Sequence, residues 1–481
     1  MGGDIPESRA GAEADILSGF PAGIPIYHPS DPKFHELRLL FNLASTNTAH
    51  PLAVVRPRDE QELATAVKFC ASAGVPMTIR AGGHDLQMRN ARSDAVMIDM
   101  RELDTVRVVE DDGTQRRHAV IGGGSLIRHV WRTLEAHGLT TPGGWCISVG
   151  YAGWAAGGGY GLLGSYYGAG ADQILGARVV TPRGEIVDTD DDPELLWALR
   201  GAGLGNFGVV LELRVKVYPQ PRVLAGLLVF PFAEARQVLG GLEDMYDQGI
   251  PSALAAEAST RDFGPAVPAV VVFFHWILDG TEQNAAEGQE YLAKYRALGT
   301  VVADTVSQTT TLAFCEVMDT TTPYNTSFYF ESVSVSGLSD ELIDAIAASP
   351  APEGAYIVIH HAHGKMLANN DDDDDDGGDD NTATAYCLRD RHYVLGLLAC
   401  RDHPGFTSEE GTARIQNWAE ALNREIRDRR KLALGHCYWS FTKNEDCDVV
   451  AIYGEEGVAR LRALKNKYNP GNAFPGCYPV L

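Results

Sequence analysis

The stretch Arg80-Ala81-Gly82-Gly83-His84-Asp85 decides the fold, together with a second stretch, Gly143-Gly144-Trp145-Cys146-Ile147-Ser148-Val149-Gly150. Each stretch places one nucleophilic side chain, His84 or Cys146, on a glycine-rich loop. Glycine lets backbone N–H groups approach a ligand with no side chain in the way, which suits a flat cofactor that carries phosphates. The two loops therefore predict a flavin that is held by two covalent bonds.

The residues before the first loop alternate between strand and helix. Residues 53–55 and 75–79 are short apolar runs, and residues 60–73 carry apolar side chains at helical spacing. The second run leads directly into Gly82, as a phosphate-binding turn after a strand requires. The Walker pattern is absent, and no GxGxxG motif is followed by a ribose-binding acid, so P-loop and dinucleotide-binding (Rossmann) folds are excluded.

Length and charge limit the class of protein. A chain of 481 residues exceeds one ordinary hydrophobic core, which predicts two domains. The net charge of −24 argues against nucleic acid and against an anionic membrane surface as a partner. No window of about 18 residues is apolar enough to span a membrane, and no basic and apolar leader is visible at the N-terminus. We expect a cytoplasmic protein and leave secretion open.

Metal ligands and disulfides show no pattern. The eight cysteines have no CxxC spacing, so we predict no metal site and expect mostly buried free thiols. The aspartate run at 371–376, with Asp379 and Asp380, predicts a solvated loop, because a calcium loop needs spaced ligands and a glycine turn.

Composition changes after about residue 220. Short strands at 270–274, 327–335, 356–361 and 393–399 alternate with helical segments up to about residue 432. This pattern predicts an α+β domain whose sheet covers a site.

Several motifs follow one another in a fixed order along the chain. They are Arg80-Ala81-Gly82-Gly83-His84, Trp145-Cys146-Ile147-Ser148-Val149-Gly150, Gly157-Gly158-Gly159-Tyr160-Gly161, Ala171-Asp172-Gln173, Asp192-Pro193-Glu194-Leu195-Leu196-Trp197-Ala198-Leu199-Arg200-Gly201, Gly205-Asn206-Phe207-Gly208 and Lys467-Tyr468-Asn469-Pro470-Gly471-Asn472-Ala473-Phe474. In this order they resemble the vanillyl alcohol oxidase/p-cresol methylhydroxylase flavoproteins, and specifically the berberine-bridge-enzyme-like branch with the oligosaccharide oxidases.

The resemblance implies a two-domain α+β flavoprotein with a split FAD-binding domain. Residues 1–219, with a core from about residue 47, and a C-terminal return at 432–481 would form that domain. Residues 220–431 would form the substrate-binding domain, with an antiparallel sheet. His84 would bond through an imidazole nitrogen to the flavin 8α-methyl carbon, and Cys146 through sulfur to flavin C6. The other cofactor-binding residues that the resemblance implies are Arg80, Ala81, Gly82, Gly83, Asp85, Gly150, Gly153, Gly157, Gly161, Asp172 and Val209.

Three departures from the family pattern lie shortly after the two predicted attachment residues. Met88 stands where the family usually has glycine, Tyr151 where it has a small aliphatic residue, and Trp154 where it has histidine. In the family the position of Tyr151 is associated with oxygen access to the flavin. A tyrosine there would block oxygen, stack over the ring or act as an acid/base group, and these alternatives stay open.

The general base is predicted from the late part of the chain. Oxidation of an alcohol needs the hydroxyl proton to leave, and a side chain with a pKa near the working pH takes it best. Tyr438 stands where the family often has a Tyr-x-Asn-Tyr pattern, although Ser440 and Phe441 depart from that pattern. His361 and His363 share one face of a strand by its period of two, so they are further candidates.

The predicted function is that of an FAD-dependent oxidoreductase acting on a small molecule. It would oxidise an alcohol or hemiacetal carbon of a carbohydrate or secondary metabolite by hydride transfer to flavin N5. Oxygen is the default acceptor and would give hydrogen peroxide. The alternatives are a dehydrogenase with another acceptor, a catalytically silent flavin-binding protein and a non-redox enzyme on the same scaffold. The oligomeric state is not predicted.

Overall fold

The fold is taken from a computed structural model of the chain. It describes residues 17–43, 49–111, 113, 116–262, 267–320, 326–368, 384–400, 409–428, 433–435, 438–443 and 446–481. The predicted acidic loop at 371–376, with Asp379 and Asp380, lies outside these residues.

Two small sheets form the N-terminal part of the fold. The first has the strand order β1-β2-β4-β3, in which β2 and β3 both lie parallel to β4. Its strands are β1 (Ile26–Tyr27), β2 (Ala53–Val55), β3 (Met77–Arg80) and β4 (Val96–Asp99). The second sheet is antiparallel with the order β5-β6-β10-β8-β9. Its strands are β5 (Val106–Val109), β6 (His118–Gly122), β8 (Ile174–Val180), β9 (Ile186–Asp188) and β10 (Val209–Lys216).

Aspartate side chains cap two helices of this part. The helix between β2 and β3, which the spacing of residues 60–73 predicts, begins after Asp59, whose side chain accepts a hydrogen bond from the Glu62 N–H, and it buries Leu63, Val67 and Cys70. The helix after Asp192 is capped in the same way, because the Asp192 side chain accepts a hydrogen bond from the Leu195 N–H. The helices up to β10 are α1 (Phe34–Leu37), α2 (Glu60–Ser72), α3 (Ile127–Glu135), α4 (Tyr151–Ala156), α5 (Gly164–Tyr167) and α6 (Pro193–Ala202).

A large antiparallel sheet follows, with the order β15-β12-β14-β13-β18-β19-β17 and with β16 paired to β12. Its strands are β12 (Arg222–Pro231), β13 (Leu254–Asp262), β14 (Pro268–Leu278), β15 (Ala303–Asp304), β16 (Ser307–Thr309), β17 (Phe328–Val335), β18 (Ala355–Ala362) and β19 (His392–Cys400). A separate short pair joins β7 (Leu139–Thr140) to β11 (Tyr218–Pro219).

Helices α7 (Ala235–Asp247), α8 (Glu282–Arg296) and α11 (Glu409–Asp428) pack against one face of the large sheet, with α10 (Asp340–Ala348) between α7 and α11, and the other face is turned toward the N-terminal sheets. Two further helices lie elsewhere: α9 (Thr311–Asp319) contacts β12 and α3 and lines the cavity side with its last residues, and α12 (Val449–Tyr468) packs on α6. The α+β class and the antiparallel sheet of the second half are as predicted.

The C-terminal tail returns to the first half of the chain. Phe474 and Cys477 are buried in the core of the β1–β4 sheet, and the Met77 N–H donates to the Ala473 carbonyl at 2.9 Å. The Tyr478 N–H donates to the Leu204 carbonyl at 3.1 Å. These contacts agree with a split N-terminal domain, while its predicted boundary residues stay predictions.

Within the described part of the chain, no helix is both long and apolar enough to cross a membrane.

Candidate active site

A cavity of about 330 Å³ lies between the N-terminal sheets, the C-terminal tail and the uncovered face of the large sheet. Both predicted attachment residues, His84 and Cys146, line it. Other predicted residues that line it are Ala81, Gly82, Gly83, Asp85, Gly150, Gly153 and Tyr438.

The two glycine-rich loops are in direct contact. A Cβ added at Gly82 would lie 2.2 Å from the backbone nitrogen of Gly150, and one added at Gly150 would lie 2.6 Å from that of Gly82. Real Cβ atoms do not approach backbone this closely, so glycine is needed at both positions. The contact brings the segments of His84 and Cys146 to one wall of the cavity.

The His84 ring is held on both sides. Its Nε2 lies 2.9 Å from the Ser148 hydroxyl, and the ring stacks on Phe41 with centroids 4.0 Å apart. Burial, with the nearby positive charges of Arg101 and Arg128, lowers the pKa of His84 to about 3. The imidazole is therefore neutral at physiological pH, and a neutral imidazole is the nucleophilic form.

Cys146 is a free thiol at the same wall. Burial, with the negative charges of Asp319 and Glu257, raises the pKa of Cys146 to about 12. The thiol is therefore protonated until a base or a bound cofactor removes its proton, because the thiolate is the nucleophile.

The cavity wall fits FAD. Backbone from Ala81 to Asp85 borders the cavity, and no atom lies within 4 Å of a Cβ added at Gly153. Such a wall offers backbone N–H groups and open space to a phosphate-bearing ligand. His84 and Cys146 would hold the isoalloxazine ring there.

Five predicted cofactor residues do not line the cavity. Arg80 pairs with Asp99 at 2.9 Å, and Asp172 pairs with Arg389 at 2.6 Å, so both are structural ion pairs. Gly161 and Gly157 allow close packing, since a Cβ at Gly161 would lie 2.2 Å from the Gly143 carbonyl oxygen and one at Gly157 2.9 Å from the side chain of Leu204. The fifth residue is Val209, which is fully buried in a hydrophobic cluster.

Tyr151 is also placed away from the cavity. It is the first residue of α4 and is fully buried, with its hydroxyl 3.3 Å from that of Thr141. The predicted stacking over the flavin or acid/base role of Tyr151 does not agree with this position. The neighbouring departure, Trp154, does line the cavity and donates its indole N–H to the Tyr160 carbonyl at 3.0 Å.

Tyr438 lines the cavity as predicted. Its ring packs edge-on against Tyr160, with centroids 4.6 Å apart, and against Phe441 at 5.2 Å. Burial raises the pKa of Tyr438 well above its ordinary value, so the group is a phenol that donates a hydrogen bond more readily than it accepts a proton.

His361 and His363 lie on the wrong face of β18 for the predicted role. Both are buried, and the His361 ring stacks on Tyr246 of α7 and on Tyr393 of β19. Side chains of a strand alternate between the faces of its sheet, so the parity of His361 directs it to the helix-covered side.

The opposite parity of β18 faces the cavity and carries a histidine that the sequence prediction missed. Tyr356, Val358 and His360 line the cavity, and Glu257 of β13 stands opposite His360 in the sheet register. The His360 Nδ1 lies 2.9 Å from a carboxylate oxygen of Glu257. The sequence did contain a signal for this orientation. Ile357 and Ile359 are buried and alternate with Val358 and His360, so they indicate that the face opposite His360 packs in the core.

The rest of the cavity is mainly aromatic and apolar. Trp145 packs edge-on against Phe273, with centroids 4.7 Å apart, and Phe330 packs against Phe441 at 5.1 Å. Within the described residues, the buried Tyr160 hydroxyl and Trp145 indole N–H have no hydrogen-bond partner, and both residues line the cavity. Buried polar groups without partners at a cavity are available to a ligand.

The chain is similar to known proteins in sequence and in fold. Residues 51–190 match the model of an FAD binding domain. The chain is 34% identical to the FAD-linked oxidoreductase aurO of Gibberella zeae, over 94% of this chain and 84% of the relative. The fold is similar to the crystal structure of 6-hydroxy-D-nicotine oxidase from Arthrobacter nicotinovorans, with a TM-score of 0.80, 22% identity and coverage of 96% and 99% of the two chains. It is also similar to a variant of berberine bridge enzyme, with a TM-score of 0.79, 17% identity and coverage of 98% and 100%.

Proposed function

Because this chain belongs to the berberine-bridge-enzyme-like branch of the vanillyl alcohol oxidase/p-cresol methylhydroxylase family, and is thus an FAD-linked oxidoreductase, we propose that it binds its FAD through both His84 and Cys146. We propose further that it oxidises an alcohol or hemiacetal carbon of a small molecule. The observation that carries the proposal is the placement of both nucleophiles on one wall of the cavity.

The protonation states support attachment at His84 first. Its imidazole is neutral because the pKa is lowered to about 3, whereas the thiol of Cys146 has its pKa raised to about 12. A flavin attached at two points would stay in the cavity while substrate and product exchange. When it is bound, the FAD would accept a hydrogen and two electrons from the substrate carbon.

The walls of the cavity favour one of the two predicted substrate classes. An oligosaccharide needs many hydrogen-bond partners for its hydroxyls, whereas the walls around Trp145, Phe273 and Phe330 are aromatic. We propose a flat secondary metabolite with an aromatic ring and an oxidisable alcohol, and keep a carbohydrate as the second candidate. The chitooligosaccharide oxidase among the structural neighbours, at 20% identity, carries the similarity of fold alone.

Oxygen is the proposed electron acceptor. Tyr151, the residue that put oxygen access in doubt, is buried in the core and does not narrow the cavity. Trp154 lines the cavity instead, so it is the residue whose size affects access to the flavin.

An anaerobic screen followed by admission of air tests the proposal. Aromatic alcohols and sugars are mixed with the holoprotein, and the loss of the oxidised flavin absorbance is recorded. We expect an aromatic alcohol to bleach the flavin and air to restore it with release of hydrogen peroxide. Bleaching that only an artificial acceptor reverses would indicate a dehydrogenase. A flavin that dithionite bleaches and that no substrate bleaches would contradict catalysis.

A further inference from the structure

We propose that His360, oriented by Glu257, accepts the hydroxyl proton of the substrate. The inference deepens the proposed function and rests on it. His360 and Glu257 lie on neighbouring strands of the large sheet. Neither residue belongs to the motifs that resemble the family.

The pair stands on the cavity-facing side of the sheet. Glu257 of β13 and His360 of β18 are cross-strand partners, so their side chains share one face. Both residues line the cavity, and their side chains are 8% and 13% exposed, respectively. A rigid sheet thus fixes both groups at the wall that faces the flavin-binding loops.

The hydrogen bond selects the tautomer of the imidazole. With the Glu257 carboxylate 2.9 Å from Nδ1, the proton of a neutral His360 lies on Nδ1 and is donated to that oxygen. The lone pair of Nε2 is then free to accept a proton. The same division of labour between a carboxylate, an imidazole and a hydroxyl operates in acyl-transfer enzymes.

The other candidates lack one of these properties. Tyr438 lines the cavity but is a buried phenol whose pKa is raised by burial, so it is suited to donating a hydrogen bond. His361 and His363 are on the helix-covered side of the sheet. Tyr160, whose ring centroid is 5.0 Å from that of His360, is another buried phenol with a raised pKa. A neutral imidazole is the better acceptor.

Oxidation of the alcohol needs one acceptor for a proton and another for a hydrogen with two electrons. His360 would be the first acceptor and the bound FAD the second. The substrate O–H bond breaks and its proton moves to Nε2 of His360. The C–H hydrogen leaves with its bonding electrons to the FAD, and the C–O single bond becomes a carbonyl. Glu257 accepts the hydrogen bond from Nδ1 before and after the transfer and so orients the ring, which makes it a positioning residue.

Anaerobic flavin reduction in variants tests the pair. With the substrate that bleaches the wild-type flavin, we expect His360→Ala to slow bleaching at least about 100-fold and Glu257→Gln at least about 10-fold. Free imidazole should restore part of the His360→Ala rate, and the loss should shrink for substrates with more acidic hydroxyls. Loss of packing alone gives neither effect. His129→Ala is the control, because the His129 side chain is exposed, pairs with Asp104 at 3.7 Å and does not line the cavity.

A second measurement needs no turnover. 4-Nitrophenol is added below its own pKa, and the absorbance of its phenolate reports proton transfer on binding. We expect phenolate with the wild type and none with His360→Ala.

The outcomes separate the two proposals. A wild-type flavin that is bleached, with His360→Ala within about 3-fold of its rate, would overturn the pair and leave the proposed function standing. Absence of phenolate in the wild type would also overturn the pair. A wild-type flavin that dithionite bleaches and no substrate bleaches would overturn both.

Discussion

His84 and Cys146 reach the same cavity in different protonation states. Burial is the main cause for both residues, because it disfavours the charged form of each group. For an imidazole the uncharged form is the nucleophile, whereas for a thiol it is not. The same dry environment therefore favours the proposed bond at His84 and disfavours the proposed bond at Cys146 until the thiol loses its proton.

This difference predicts distinct pH dependences for the two bonds. The imidazole, with its pKa lowered to about 3, is neutral at every pH above about 4, so attachment at His84 should not change between pH 6 and pH 9. The thiolate of Cys146, with the pKa raised to about 12, increases about tenfold per pH unit over that range. Attachment should be followed after FAD is added to apoprotein, in Cys146→Ala for the first bond and in His84→Ala for the second. Equal slopes in the two variants would contradict this explanation.

Met88 has a backbone conformation that is unusual for a residue other than glycine. Its backbone φ is 57°, in the left-handed region that favours glycine, and the family's usual residue there is glycine. Met88 therefore holds a backbone conformation that glycine would adopt with less strain.

At the scale of elements, the contact between the two glycine-rich loops brings the attachment residues together. We predict that Gly150→Ala, whose Cβ would lie 2.6 Å from the Gly82 nitrogen, separates the loops and lowers the fraction of protein with bound flavin several-fold. The absorbance ratio of flavin to protein after purification measures it. Gly240→Ala is the matched control, because no atom lies within 4 Å of the added Cβ. Full flavin content in Gly150→Ala would show that the contact is dispensable.

The sequence predicted loops better than it predicted the sheet face that meets the substrate. The strand–helix–strand unit before Gly82 and the positions of His84 and Cys146 at the cavity follow from local signals. Local signals do not show which face of β18 meets the cavity, because His360 and His361 point to opposite faces of the sheet. Choosing between them requires knowing which side the helices cover, and this depends on tertiary packing.

Long-range packing positions the predicted cofactor residues that do not line the cavity. Asp172 pairs with Arg389, 217 residues later in the chain, and Gly161 approaches the carbonyl of Gly143 on the segment that carries Cys146. Both residues belong to motifs that resemble the family, and neither lines the cavity. Membership of a motif therefore does not show whether a residue contacts the ligand or supports the residues that do.

At the scale of the whole molecule, the C-terminal tail completes the first half of the fold. Phe474 is 2% exposed and packs in the cluster of the β1–β4 sheet. It also lines the cavity. The tail therefore links the last residues of the chain to the cofactor site.

We predict that Phe474→Ala lowers the free energy of unfolding by about 3–5 kcal/mol, because a large buried ring is removed from a packed core. Flavin content should fall as well. Chemical denaturation measures the first effect and absorbance the second. Val480→Ala is the control, since Val480 is 56% exposed in the same tail. A Phe474→Ala protein as stable as this control would mean that the tail does not support the domain.

We propose that one flavin is bonded to both His84 and Cys146. Holoprotein is precipitated with acid, washed and digested, and the yellow peptides are identified by mass. We predict that the wild-type pellet stays yellow and that the peptides of residues 84 and 146 are joined through one flavin. His84→Ala and Cys146→Ala should each retain colour through the remaining bond, and the double variant should lose it. A wild-type pellet that washes colourless would contradict both bonds.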